Sequence, residues 1–537
     1  MNLTSNLKKK LQIIRNLVKD ELQKLSPLID GLECHVERLR SERNQVLMSN
    51  FTEKIQQLSK ECSDWMVKLS GDVIKQATEI CGPPPCQFAA IAIGLMATGE
   101  TTPYSDLEFL FLIENEDSIS YFEELAVTAY FIIGNLRETK LKYMDIHELN
   151  GDDKWFDDAS VSGFKIDSLQ RNAGNIPTGN GSQIQKNKFI QTVDGLVKVY
   201  EQIFLHPDPD KSKIGDMSAM LSSTVFLYGD SHLHNEFVAR ISAIPPSALR
   251  REASIQMLQS DAMKFDYQPD DTSTHIKDVK KDFYRFPSII LFDLKIPHGV
   301  QTSSVWETID CLVVREILSP AIERSLRVAL SISMFARLSV YCHHSSQDDR
   351  MTILQPTQQS KGTPWPFPRK LVIHYFLHCA PLNVSTDNVT SGAGVYVDDL
   401  ILIWTLYRCE DYRAVIACVE RMRDQHDQSW MLMRMNVWSL IEIGEYDKAL
   451  ELLIRGETAD EDRSYTSGRY SLKGTVHGKM GNYNSALEYH QKSLGIALQM
   501  HGDSPHPDIA RSYNNIGNVY ESQGNYNSAL EYHQKSL

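Results

Sequence analysis

The stretch GNYNSALEYHQKSL occurs at 481–494 and again, without a change, at 524–537. The offset of 43 residues is the strongest constraint in the chain. Self-similarity at such a period marks stacked supersecondary units, each too small to bury its apolar face alone. The copies extend upstream, as YSLKGTVHGKMGNYNSALEYH (470–490) and YNNIGNVYESQGNYNSALEYH (513–533). Gly474 and Gly517 take the small position where the first helix of a pair approaches the second. Ala486 and Ala529 take the small position on the second helix. GEYDKALELL (444–453) is a more divergent copy, and EDYRAVIACV (410–419) is weaker again.

These residues resemble the tetratricopeptide repeat family, in the variant found in kinesin light chains, over roughly 400–537. The resemblance implies an α-solenoid at 396–537 whose concave face binds a protein or peptide partner. The chain stops at Leu537 inside the second helix of a pair, which predicts that the solenoid is truncated and further repeats are missing.

A chain of 537 residues is too long for one core, so several domains are expected. A net charge of −14 argues against general binding to nucleic acid or to anionic membranes. The nine cysteines are scattered without a CxxC, which suits reduced thiols. The N-terminus has no secretory h-region and no window reads as a membrane span, so the expected address is cytoplasmic. Residues 1–80 carry Leu11, Ile14, Val18, Leu22 and Leu25 at helical spacing, which predicts an N-terminal helical segment. It is either a short helical hairpin or coiled coil, or a set of helices packed on the next domain.

The second informative stretch is GETTPYSDLEFLF (99–111). Asp106 and Glu108 stand one residue apart before an apolar run. A strand carrying them points both carboxylates to one face. Upstream, FAAIAIGLMATGE (88–100) reads as a buried strand that ends at Gly94. A glycine after a strand, a short loop, then Asp-h-Glu on the next strand resembles the nucleotidyltransferase superfamily. The fuller GETTPYSDLEF resembles its protein-PII uridylyltransferase branch, over about 85–240.

That resemblance implies a mixed sheet with helices at 81–187. It implies transfer of a nucleoside monophosphate from a nucleoside triphosphate to an acceptor, with Mg2+ or Mn2+ as cofactor. Two metal ions need hard oxygen ligands on the nucleotide's phosphates. Asp106 and Glu108 are the expected metal ligands and catalytic residues, with Asp167 in GFKIDSLQ (163–170) as the third. Gly94, Leu95 and Ser105 are the expected nucleotide-binding positions. Leu95 and Thr98 depart from the pattern, standing where the relatives carry a small hydroxyl residue and an arginine. No HD hydrolase motif is present; Asp230, His232 and His234 have the wrong spacing.

Residues 188–395 read as a helical region. Within it, Lys280, Lys281 and Arg285 sit among aromatics, either on a phosphate or as a solvated face above buried Phe283 and Phe286. His374 and His378 lie four apart, with Cys342, His343 and His344 upstream, which makes zinc conceivable. The whole is expected to be a multidomain α and α/β protein. It is either a uridylyltransferase-like enzyme whose acceptor is recruited by the repeats, or a catalytically degenerate interaction scaffold.

Overall fold

Residues 88–93 and 109–113 are buried at every position, which only a sheet covered on both faces accommodates. The computed structural model of the chain describes residues 2–33, 41–136, 190–203, 221–244, 276–295, 298–352, 365–384, 407, 412–421, 430–455, 463–502 and 506–536. Two compact units divide it, Met1–Val397 and Asp398–Leu537.

The N-terminal unit opens with helices α1 (Asn2–Gln23), α2 (Ser26–Gly31) and the long α3 (Glu42–Cys81). Strand β1 (Phe88–Ala92), the single turn α4 (Gly94–Ala97), β2 (Phe109–Ile113) and α5 (Ile119–Gly134) follow. Then come β3 (Ile190–Gln191), α6 (Val193–Ile203), β4 (Val225–Gly229) and α7 (Ser231–Ser242). Strand β5 (Ile276–Asp278) leads through a π-helical turn at Val279–Tyr284 into α8 (Arg285–Lys295). Helices α9 (Val305–Val314) and α10 (Pro320–His344), strands β6 (Arg350–Thr352) and β7 (Trp365–Pro366), and α11 (Arg369–Val384) complete the unit.

The main sheet has the order β3-β2-β1-β4. Strand β1 pairs antiparallel with β2 and β4, and β2 runs parallel to β3. One face buries Ala89, Ile91, Leu110 and Leu112 against α6 and α7. The other stacks Phe88 and Phe111 on Phe122 of α5, with ring centroids 5.2 and 5.6 Å from Phe122. There α3 approaches so closely that a Cβ on Gly71 would lie 2.6 Å from the Leu227 carbonyl oxygen.

The N-terminal apolar stripe is inward: Leu11 and Val18 are fully buried where α1 packs on α3 and α10. Among the described residues α10 is the one helix long and apolar enough to cross a membrane, but 89% of its most apolar window is buried within the protein. It is a core helix.

Residues 188–395 are not all helical, as their sequence pattern suggested. They supply β3 and β4 to the main sheet and β5-β6-β7 to a second one. The run TVFLYG (224–229) is rich in β-branched and aromatic residues and ends in glycine. A short run of that kind has no period by which helix and strand could be told apart.

The C-terminal unit is a row of helices: α12 (Tyr412–Arg421), α13 (Trp430–Glu442), α14 (Tyr446–Arg455), α15 (Arg463–Lys479), α16 (Tyr483–His501), α17 (Pro507–Ser522) and α18 (Tyr526–Ser536). They pack as antiparallel pairs α13/α14, α15/α16 and α17/α18. Apolar residues from neighbouring pairs share one core, as with Leu440 and Leu453 against Leu472 and Val476.

Candidate functional sites

In the N-terminal unit, pairing of β1 with β2 continues one step past the strands: the Ile93 amide donates to the Glu108 carbonyl at 3.0 Å. The chain then turns at Gly94, with φ +63°. A Cβ there would lie 1.8 Å from Oε2 of Glu108, so the carboxylate rests directly on bare backbone. Only glycine fits both the backbone angle and the contact. Asp106 and Glu108 are half-buried and flank Leu107, which is fully buried. Both acids therefore project to one side just before β2 begins.

The loop between Gly94 and Asp106 is itself a buried object. Thr98, Glu100, Thr101, Thr102 and Ser105 are all nearly inaccessible. Leu95 is half-buried, and its carbonyl accepts from the Glu100 amide at 2.9 Å. The Thr98 hydroxyl donates to Oε2 of Glu100 at 2.7 Å, and Ser288 of α8 donates to Oε1. Burial pushes the Glu100 carboxyl above its usual range, while those hydroxyls and Arg337 pull the other way. Arg337 of α10 donates to the Glu100 carbonyl at 3.1 Å and to the Ser105 hydroxyl at 3.3 Å. Ser105 also accepts from the Thr102 amide at 2.9 Å. On the other side, Arg15 of α1 donates to the Pro103 carbonyl at 3.1 Å and lies over the Tyr104 ring at 4.4 Å. The hydroxyls of Ser105 and Thr98 thus hold the loop's own shape.

Asp167 lies outside the described residues, as does the loop at 174–181. The strand beside β2 is β3, and its paired residues are Ile190 and Gln191, opposite Phe111 and Leu112. The basic cluster divides. Lys281 and Arg285 are exposed while Phe283 and Phe286 are buried. Lys280 turns inward, where burial and the positive charges of Arg337 and Arg285 lower its pKa, and Asp349 and Asp106 oppose them. Lys295 at the end of α8 is also buried. It donates to the Ser223 hydroxyl at 2.7 Å and the Ser222 carbonyl at 3.0 Å, and burial lowers its pKa to about 7.

Among the described residues, His374 and His378 are engaged within the fold. Nε2 of His374 lies 3.3 Å from the Asn44 amide and Nδ1 of His378 lies 3.2 Å from the Ser325 hydroxyl. Burial lowers their pKa values to about 4 and about 3. Asp230 caps α7 by accepting from the His232 amide at 2.9 Å, and His234 pairs with the Thr224 hydroxyl at 2.9 Å.

In the C-terminal unit, the first helices of three successive pairs, with one side of α16, wall a cavity of about 280 Å³. Trp430, Arg434 and Trp438 come from α13, Ser471 and Thr475 from α15, and Arg511 and Asn515 from α17. The Asn515 side-chain amide donates to the Ser471 hydroxyl at 3.2 Å, tying two of these helices together. Trp430 stacks on Tyr465 with centroids 5.5 Å apart. Aromatic faces beside fixed polar groups suit an extended or helical polypeptide more than a small apolar ligand.

Residues 469–537 match the tetratricopeptide repeat family. That match spans the two pairs α15/α16 and α17/α18, and such repeats serve protein interaction. No curated protein matches the chain.

Proposed function

We propose that the chain is a cytoplasmic protein-interaction scaffold that seats a polypeptide segment of its partner in the cavity between α13, α15 and α17. The observation that carries this reading is the set of cavity walls within and beside the matched repeats: two tryptophans, two arginines and an asparagine facing one groove. Solenoids of this kind recognise extended or helical segments along their concave surface. Peptides selected from a random library against the full chain should bind in fluorescence anisotropy. Trp438→Ala is expected to weaken them by about tenfold or more, the scale of a buried aromatic anchor. Selected peptides that bind Trp438→Ala unchanged would refute the placement.

A second reading is supported by Gly94, Asp106 and Glu108. Two carboxylates on one side of a strand end, one resting on bare glycine backbone, suit a divalent metal ion and the phosphates it accompanies. Asp106 and Glu108 would hold Mg2+ or Mn2+, and the ion's part is to neutralise charge on a nucleoside triphosphate during transfer of its nucleotidyl group. The acceptor would be the protein that the repeats recruit. Weighing against turnover, Ser105 and Thr98 spend their hydroxyls within the loop. Calorimetry of the full chain with each nucleoside triphosphate and Mn2+ tests it. Metal-dependent binding that Asp106→Ala with Glu108→Ala abolishes would support the site; binding equal in the double variant, or none in either protein, would remove it.

A further inference from the structure

The stretch HGDSPHPD (501–508) joins α16 to α17, and its ends bring three ligand-type side chains together. His501 is the last residue of α16, His506 caps α17, and Asp508 lies in the first turn of α17. Oδ2 of Asp508 lies 3.7 Å from Nε2 of His501 and 3.6 Å from Nδ1 of His506. The ligand atoms of all three lie within 4.8 Å of one another. A tetrahedral ion with ligand bonds of about 2.0–2.1 Å needs ligand atoms about 3.3 Å apart. Two of the three edges are thus within about half an ångström of that spacing before any ion is present.

Two further observations point to an ion. Nε2 of His501 is buried and has no hydrogen-bond partner among the described residues, an expensive state for a ring nitrogen. Arg511 lies 3.5 Å from Oδ1 of Asp508, which orients the carboxylate and leaves Oδ2 toward the histidines. The imidazoles lie face to face, with centroids 3.4 Å apart and 9° between planes, so modest ring rotations turn both toward a shared point. Nδ1 of His506 now accepts from the Asp508 amide at 3.2 Å. Giving up that cap costs about 1 kcal/mol, small beside a metal–imidazole bond.

We propose that Nε2 of His501, Nδ1 of His506 and Oδ2 of Asp508 form a site for a divalent transition-metal ion of the zinc class. Two imidazoles and one carboxylate suit such an ion, and three protein ligands leave a coordination position for a fourth. His501 and Asp508 line the cavity described above, so that position faces it. Water, or a carboxylate or thiolate of a bound segment, completes the shell. The ion would also clip the end of one helix pair to the start of the next and so set the cavity's wall. Ion binding itself is independent of whether a polypeptide occupies the cavity.

The test is titration of the full chain with Co2+, followed by its visible bands, and competition by Zn2+. One equivalent bound with the intense bands of a tetrahedral site is expected. His501→Gln and Asp508→Asn should each weaken it by about tenfold or more. Zn2+ should raise the melting temperature of the C-terminal unit in the wild-type chain and not in either variant, while all three melt alike in chelator. His501→Gln decides the matter even if Asp508→Asn disturbs the start of α17, because His501 caps nothing. Equal Co2+ affinity in wild type and His501→Gln would overturn the proposal. So would saturation without tetrahedral bands, which marks adventitious surface histidines only.

Discussion

Arg337→Ala is expected to destabilise the N-terminal unit by about 3–5 kcal/mol, the range for removing one partner of a buried charged network. Arg337 is fully buried in the middle of α10. Its guanidinium lies over the Tyr284 ring at 4.3 Å and near the Tyr341 ring at 5.6 Å. Its two terminal nitrogens hold the Glu100 carbonyl and the Ser105 hydroxyl, one at the middle and one at the end of the loop that precedes Asp106. Alanine leaves a side-chain-sized cavity, orphans that carbonyl, and removes the cation that faces the buried Glu100 carboxyl. Arg337→Lys should recover only part of the loss, since an ammonium cannot span both acceptors with a planar fork. Urea unfolding of the full chain, resolved by hydrogen exchange at 98–105, measures it. A loss under about 1 kcal/mol would contradict a structural role for the arginine.

The second large effect is a contrast between two positions that the sequence makes equivalent. A Cβ on Gly474 would lie 2.7 Å from the His490 ring, and a Cβ on Gly517 would lie 2.7 Å from the His533 ring. Each pair is offset from the other by the same 43 residues as the repeated stretch. The surroundings differ. His490 is buried where α16 packs on α15, whereas His533 is only half-buried. Gly474→Ala must therefore push apart α15 and α16, an overpacking cost of about 1–3 kcal/mol. Gly517→Ala displaces a ring that can swing toward solvent. It also gains the roughly 0.5–1 kcal/mol by which alanine exceeds glycine in a helix. The expected order is a clear fall in protection of α15 and α16 for the first variant and little change in α17 and α18 for the second. Equal losses would mean that the contact, not its burial, sets the cost.

The repeats were legible because a helical solenoid is local: its small residues, turn and period lie within one unit and recur. The strand–Gly94–loop–strand order at 88–113 was legible from its punctuation, since Gly94 and the polar loop bound two apolar runs each too short for an ordinary helix. What the sequence hid was held by long-range contacts. Arg337 is 232 residues from Ser105 and looks like any charge on a helix until α10 is seen to be buried. Glu100 reads as part of a motif, yet it is an interior carboxyl fastened by Thr98 and Ser288. The strand β4 is hidden in the sequence because the apolar residues in and around it fall at helical spacing. The cluster of His501, His506 and Asp508 did leave a trace, the spacing H-x4-H-x-D across a helix junction. That trace becomes visible only once 501 and 506 are known to end one helix and begin the next.

The most direct test of the account is site-specific photo-crosslinking in the full chain. A benzophenone amino acid would be placed at Ser471 or Thr475 on the cavity wall, and in a control at exposed Glu488 of α16. Adducts are then mapped to the cross-linked peptide. The account predicts that Ser471 and Thr475 capture one and the same short segment of a partner protein, that Trp438→Ala abolishes the capture, and that Glu488 does not yield it. Capture of that segment from Glu488 but from neither cavity position would contradict it.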